Sequence, residues 1–207
     1  MLAGLVVAAL ASASVVAGAN PALGVYNLDD DITVSGLSSG GFMAVQIHVA
    51  FSSTIKGAAV FAGGPYWCAM GSMSAATGVC MKQYMGTPDL NRYINYTSAA
   101  FSSGEIDDPA NLDDDLVFMF SGSVDSTVDP LVMHTLEDYY SNYIKTGSIT
   151  SEFDVAAEHC LPTLDFGEPC TVSKSPYIGK CNYDGAGLAL NKLYGGSLAS
   201  GTAVASH

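Results

Sequence analysis

Three residue types that together can carry out acyl transfer occur in this chain in a telling order. Gly36-Leu37-Ser38-Ser39-Gly40 satisfies the pattern G-x-S-x-G. A serine on a tight strand-to-helix turn has a strained backbone and an exposed hydroxyl, and the crowding of such a turn asks for glycine two positions before and two after. The N–H of the next residue, Ser39, then points to where an oxyanion develops. Asp125 and His159 follow later apolar runs. The roles this implies are nucleophile for Ser38, general base and then acid for His159, and tautomer-fixing carboxylate for Asp125. The rivals read differently. His48 lies within the apolar segment after the serine, as a packed or capping side chain. His134 stands beside Glu137 and Asp138 on a solvated helix face, and His207 is the last residue. Asp129 precedes Pro130 and reads as a helix cap. Asp113-Asp114-Asp115 reads as a solvated lead-in to a strand and lacks the D-x-D-x-D-G spacing of a calcium loop. No metal or cofactor is expected.

The elements that must position these residues alternate. Ile32 to Ser35 is a short β-branched strand, and Phe42 to Phe51 a buried helix. Gly57 to Ala62 is a second strand stopped by Gly63-Gly64-Pro65, and a Gly/Ser/Met-rich loop runs on to about residue 85. Residues 86–111 read as short helices and loop. Leu116 to Phe120 is uniformly apolar, as a strand buried on both faces of a parallel sheet would be. Pro130 to Ile144 is a helix with a Gly147 stop, Ile149 to Ala156 a fourth strand, and Gly187 to Tyr194 a final short helix. A loop with Pro162 and Pro169 precedes that helix. Such alternation predicts an α/β fold, a partial parallel sheet flanked by helices, with its site at the carboxyl ends of the strands. Ser38, Asp125 and His159 fall at three such ends. Ser, Asp, His is the chain order of α/β-hydrolases, not of the chymotrypsin or subtilisin type.

The chain has 207 residues, 49% hydrophobic and 13% charged, with a formal net charge of −13. This composition excludes a disordered chain or a coiled coil. Its acidity argues against nucleic acid and anionic lipid as partners. Residues 1–19 carry no charge, are rich in Leu, Val, Ala, Gly and Ser, and end in Ala17-Gly18-Ala19. They read as a secretory signal peptide without a basic start, which leaves 20–207 as one domain with no membrane segment after cleavage. The expected location is extracellular. An exported chain permits disulfides. The spacings suggest two local bridges, Cys68–Cys80 and Cys170–Cys181, each contributing roughly 2–4 kcal/mol. Cys160 then reads as a buried small hydrophobe. Asn95-Tyr96-Thr97 is a glycosylation sequon.

Val34 to Gln46, Val60 to Cys68, Gly122 to Pro130 and Ser175 to Gly187 carry motifs that resemble those of secreted poly(3-hydroxybutyrate) depolymerases, most of all the single-domain fungal type. The resemblance spans about residues 24–196. It implies a circularly permuted α/β-hydrolase fold, which accounts for a nucleophile so close to the mature N-terminus. It also implies the triad Ser38, Asp125 and His159, the two cysteine pairs above, and hydrolysis of a short-chain polyester or its oligomers. Members of that family continue well beyond the point where this chain stops. The further part would complete the sheet and supply a second oxyanion donor near a His-Gly-Cys-like segment, so the domain reads as incomplete at its C-terminus. An insoluble polymer cannot enter a deep pocket, and exposed apolar side chains beside the site are expected to grip it. Tyr66 and Trp67, at the carboxyl end of the second strand, are the candidates, with packing of Trp67 on the Cys68 bridge as the other reading. The alternatives are a feruloyl or acetyl esterase or a peptidase on the same scaffold, and an inactive relic.

Overall fold

In the computed structural model the described residues are 31–82, 89–145, 148–196 and 198. The expected signal peptide, the Gly147 stop and His207 lie outside them. Four parallel strands form the main sheet in the sequential order β1 (Ile32–Leu37), β2 (Ile55–Phe61), β3 (Leu116–Phe120), β4 (Ile149–Glu152). Helix α1 (Ser39–Ala50) links β1 to β2, α2 (Met73–Thr77) and α3 (Leu90–Ser102) lie between β2 and β3, and α4 (Pro130–Ser141) joins β3 to β4. Right-handed crossovers that all step the same way place their helices on one face of a sheet. The side-chain alternation of the strands shows that arrangement. Ala58, Val60, Val117 and Met119 pack with Val45 and Val49 of α1, Tyr93 of α3, and Met133, Leu136 and Tyr140 of α4. Their neighbours Ala59, Phe61, Phe118 and Phe120 point the other way and pack with Ala189 and Leu193 of α5 (Gly185–Leu193). Burial on both faces is why β2 and β3 read as unbroken apolar runs.

Helix boundaries follow capping chemistry. Asp89, Asp129 and Asp184 each accept a backbone N–H from the first turn of α3, α4 and α5. Asp129 is thus the cap its sequence context predicts. Helix α1 begins at Ser39, three residues before the apolar stretch, because the chain leaves β1 through a single turn at Ser38. Helix α4 ends at Ser141 and α5 begins at Gly185, each offset from the predicted end. The fourth strand stops at Glu152 instead of Ala156, where the chain bends toward the site. Within 86–111 the described part holds α3, on which Asn95 is exposed, and part of a 3-10 turn at Pro109–Asp114. The Pro162/Pro169 segment, expected as loop, holds a second parallel sheet of β5 (Leu161–Thr163), β6 (Glu168–Pro169) and β7 (Ile178–Lys180), in the order β5-β7-β6. Strands of two or three residues are too short to leave a periodic signal.

His48 is fully buried on α1, with Nδ1 2.9 Å from the Tyr140 hydroxyl and Nε2 3.1 Å from Asp115 Oδ2. The packed reading of His48 holds, and the third Asp of the 113–115 run is buried with it. This polar triplet is the tie between α1, α4 and the start of β3. Replacing Asp115 by Ala strips a buried imidazole of one partner, and stability falls by on the order of 3 kcal/mol. An unchanged midpoint of denaturant unfolding would refute that role.

Candidate active site

The carboxyl ends of the strands are stitched together in steps: Ser38 N–H donates to the Phe61 carbonyl (2.8 Å), Ala62 N–H to Phe120 (2.9 Å) and Ser121 N–H to Glu152 (3.0 Å). Ser38 has φ 58° and ψ −122°, a region an L-residue occupies at a cost of about 1–3 kcal/mol. Gly36 is required there, since a Cβ on it would lie 2.3 Å from the Gly40 carbonyl. Gly40, by contrast, faces open space, and the position that must be small on the helix side is Gly41, whose Cβ would lie 2.8 Å from the Phe61 oxygen. Gly41 is a requirement the G-x-S-x-G pattern does not announce. Ser39 opens α1, so its N–H is among those a helix leaves without an internal partner.

Asp125 and His159 hang from two loops that are fastened to each other. Ser123 N–H donates to the Val155 carbonyl (2.8 Å) and Val124 N–H to Ala157 (3.3 Å). Gly122 allows this approach, because a Cβ on it would sit 2.0 Å from the Ala157 oxygen. Asp125 then meets His159 across the join, Oδ2 to Nδ1, at 2.8 Å. Its other oxygen accepts the N–H groups of Thr127 (2.8 Å) and Val128 (2.9 Å), so the carboxylate cannot swing away. Both side chains are buried. Nothing in the sequence marks Glu158, yet its Oε2 accepts both Ser126 N–H (3.0 Å) and His159 N–H (3.1 Å), bridging the same two loops. Partial burial pushes its carboxyl up, but these hydrogen bonds outweigh it and hold Glu158 below the usual range. The Tyr177 ring stands edge-on to His159, with ring centres 6.2 Å apart.

Ser38 and Ser39 border an apolar cavity of about 340 Å³ whose walls include Phe42, Met43, Trp67 and Met70. The expected bridges are present: Cys68–Cys80 forms part of the cavity wall, and Cys170–Cys181 backs the His159 loop through Glu158 N–H to the Cys170 carbonyl (2.8 Å). The two aromatic candidates part company. Trp67 is 47% exposed and lines the cavity, whereas Tyr66 is 8% exposed and belongs to the core. Consecutive residues leave a turn in different directions, and Trp67 takes φ 56°. The expectation that Tyr66 grips substrate at this cavity is therefore corrected. His48 and His159 also separate. Both ring nitrogens of His48 are engaged, while only Nδ1 of His159 is bound by Asp125, and Nε2 is the nitrogen a base needs. His134 faces Glu137 at the surface, as expected.

A parallel sheet covered by helices, with a serine on a strained turn and an aspartate-bound histidine beyond later strands, defines an α/β-hydrolase-type fold. No family model matches the chain. It is similar to the poly(3-hydroxybutyrate) depolymerase of Delftia acidovorans, at 48% identity over 164 residues, 79% of this chain and 33% of that protein. It is similar to the polyhydroxybutyrate depolymerase of Talaromyces funiculosus, at 39% identity over 203 residues, 96% of this chain and 57% of that protein. The crystal structure of the depolymerase from Penicillium funiculosum superposes with a TM-score of 0.73 at 39% identity, covering 83% of this chain and 53% of that one. A serine-to-alanine form of a PHB depolymerase complexed with R3HB trimer gives 0.72 at 38% identity, over 80% of this chain and 52% of that one. The chain thus spans between a third and somewhat over half of the length of these relatives. Over that stretch it is similar to the poly(3-hydroxybutyrate) depolymerases.

Cys160, next to His159 in the chain, is free and buried. Burial first, then the charges of Asp125 and Glu158, push its thiol up to about 11. The folded chain is expected to show no reactive thiol toward an aromatic disulfide reagent at pH 8, and one per chain once unfolded. Rapid labelling of the native protein would contradict this placement.

Proposed function

We propose that the chain carries the Ser38–His159–Asp125 relay of a secreted serine esterase that cleaves poly(3-hydroxybutyrate) or its oligomers. The observation that carries this reading is the 2.8 Å Asp125–His159 hydrogen bond at the same sheet end as a serine in a strained turn. Asp125 accepts from Nδ1–H, which leaves the Nε2 lone pair of His159 to take the Ser38 proton as Oγ attacks the ester carbon. The Ser39 N–H stabilises the oxyanion, and removing one such donor costs on the order of 10²–10³ in rate. Collapse of the tetrahedral adduct expels the alcohol, which takes the proton from His159. A water molecule, deprotonated by the same imidazole, then releases the acid and frees Ser38.

The cavity walls support this substrate class. A 340 Å³ apolar cavity with an exposed indole at its edge suits a neutral, short-chain ester with small alkyl branches. A net charge of −13 suits a neutral substrate better than an acidic one. The bound R3HB trimer named for one structural relative supports the same class. Export is supported by residues 1–19 and by two disulfides. Among the described residues no helix is long and apolar enough to cross a membrane.

Clearing of a polyhydroxybutyrate suspension, alongside hydrolysis of a p-nitrophenyl short-chain ester, tests the reading. Ser38→Ala should lower turnover of both by on the order of 10⁶. Retention of most activity by that variant would sink the triad. Hydrolysis of the soluble ester without clearing would shift the assignment to another esterase on this scaffold.

A further inference from the structure

One polar side chain interrupts the apolar wall beside Ser38. Gln46 stands on α1 two turns beyond Ser39 and lines the cavity among Phe42, Met43 and Met70. A polar group in such a wall is costly unless its hydrogen bonds are made. Both ends of this amide are engaged by backbone. Nε2 donates to the Phe42 carbonyl on its own helix (3.3 Å), and Oε1 accepts the N–H of Trp67 (3.0 Å).

Trp67 needs such a partner. It occupies the third position of a turn closed by Cys68 N–H to the Pro65 carbonyl (3.2 Å), and its φ of 56° is one that glycine or asparagine adopts more readily. Nothing in the preferences of tryptophan favours that conformation, and its indole is half exposed. The Gln46 carbonyl holds the backbone of this one residue from the helix that also carries the nucleophile turn. We propose that Gln46 is a positioning residue that fixes Trp67 at the cavity edge and so sets the affinity for the acyl or oligomer chain. It acts on binding, not on the reacting atoms. The proposal deepens the ester-hydrolase reading and rests on it for the substrate, while its structural half stands apart from catalysis.

The chain contains a single tryptophan, so its fluorescence reports on residue 67 without substrate. The experiment compares Gln46→Leu and Gln46→Glu in the full chain by tryptophan emission, acrylamide quenching and steady-state kinetics on a 3-hydroxybutyrate trimer. Leu fills the space but cannot accept, whereas Glu retains an acceptor for the Trp67 N–H. Gln46→Leu is expected to red-shift the emission, increase quenching, and raise KM about five- to tenfold with kcat within about twofold, as loss of one hydrogen bond in a binding element implies. Gln46→Glu is expected to restore both readouts. Unchanged fluorescence and KM in Gln46→Leu would overturn the clamp, as would an equal rise in KM in both variants with unchanged emission, which would mark Gln46 as a direct substrate donor. Altered fluorescence in a chain whose parent hydrolyses no ester would instead leave the clamp standing and reject the hydrolase reading.

Discussion

The site depends on one hydrogen bond between two loops, Asp125 Oδ2 to His159 Nδ1, at 2.8 Å. Everything around it serves to keep those atoms together. The N–H groups of Thr127 and Val128 hold the second carboxylate oxygen, and Glu158 holds the backbone of both loops. Gly122 lets the loops touch where any side chain would part them. A carboxylate with this many donors is held in one orientation, which is what an imidazole needs from the residue that orients it.

Among the described residues there are two buried histidine–carboxylate pairs, and their difference is instructive. In Tyr140–His48–Asp115 the imidazole is sealed on both sides and has no nitrogen left for chemistry. It ties helices to a strand. In Asp125–His159 one nitrogen is held and the ring sits at the sheet end where active sites of parallel folds gather. Burial and a nearby carboxylate alone do not distinguish the two; the occupancy of the second nitrogen does.

Much of this was legible in the chain itself. The apolar runs at 57–62 and 116–120 announce strands covered on both sides, and Ser38, Asp125 and His159 mark the loops at the ends of parallel strands. Asp129 before Pro130 announces a cap, and the cysteine spacings announce both bridges. What stayed hidden is what depends on contacts distant in sequence. Glu158 is an ordinary surface-type residue until the 121–129 loop is folded against it. Gln46 reads as one polar residue in an apolar helix until the turn at Trp67 approaches. The side of the turn on which Tyr66 falls is set by a backbone angle at its neighbour, which composition does not encode. The strands of the small second sheet are shorter than any period that could reveal them.

The sequential strand order has a consequence for how such a site can change. Ser38 follows β1 and Asp125 follows β3, so β2 always stands between them as a spacer. Two ladder steps amount to roughly 10 Å, a width fixed by peptide geometry and indifferent to which side chains β2 carries. The gap between Ser38 and Asp125 therefore behaves as a constant of the architecture. Adaptation to a bulkier or stiffer ester has to come through the flanking loops, and the spacer strand is left free to serve the core.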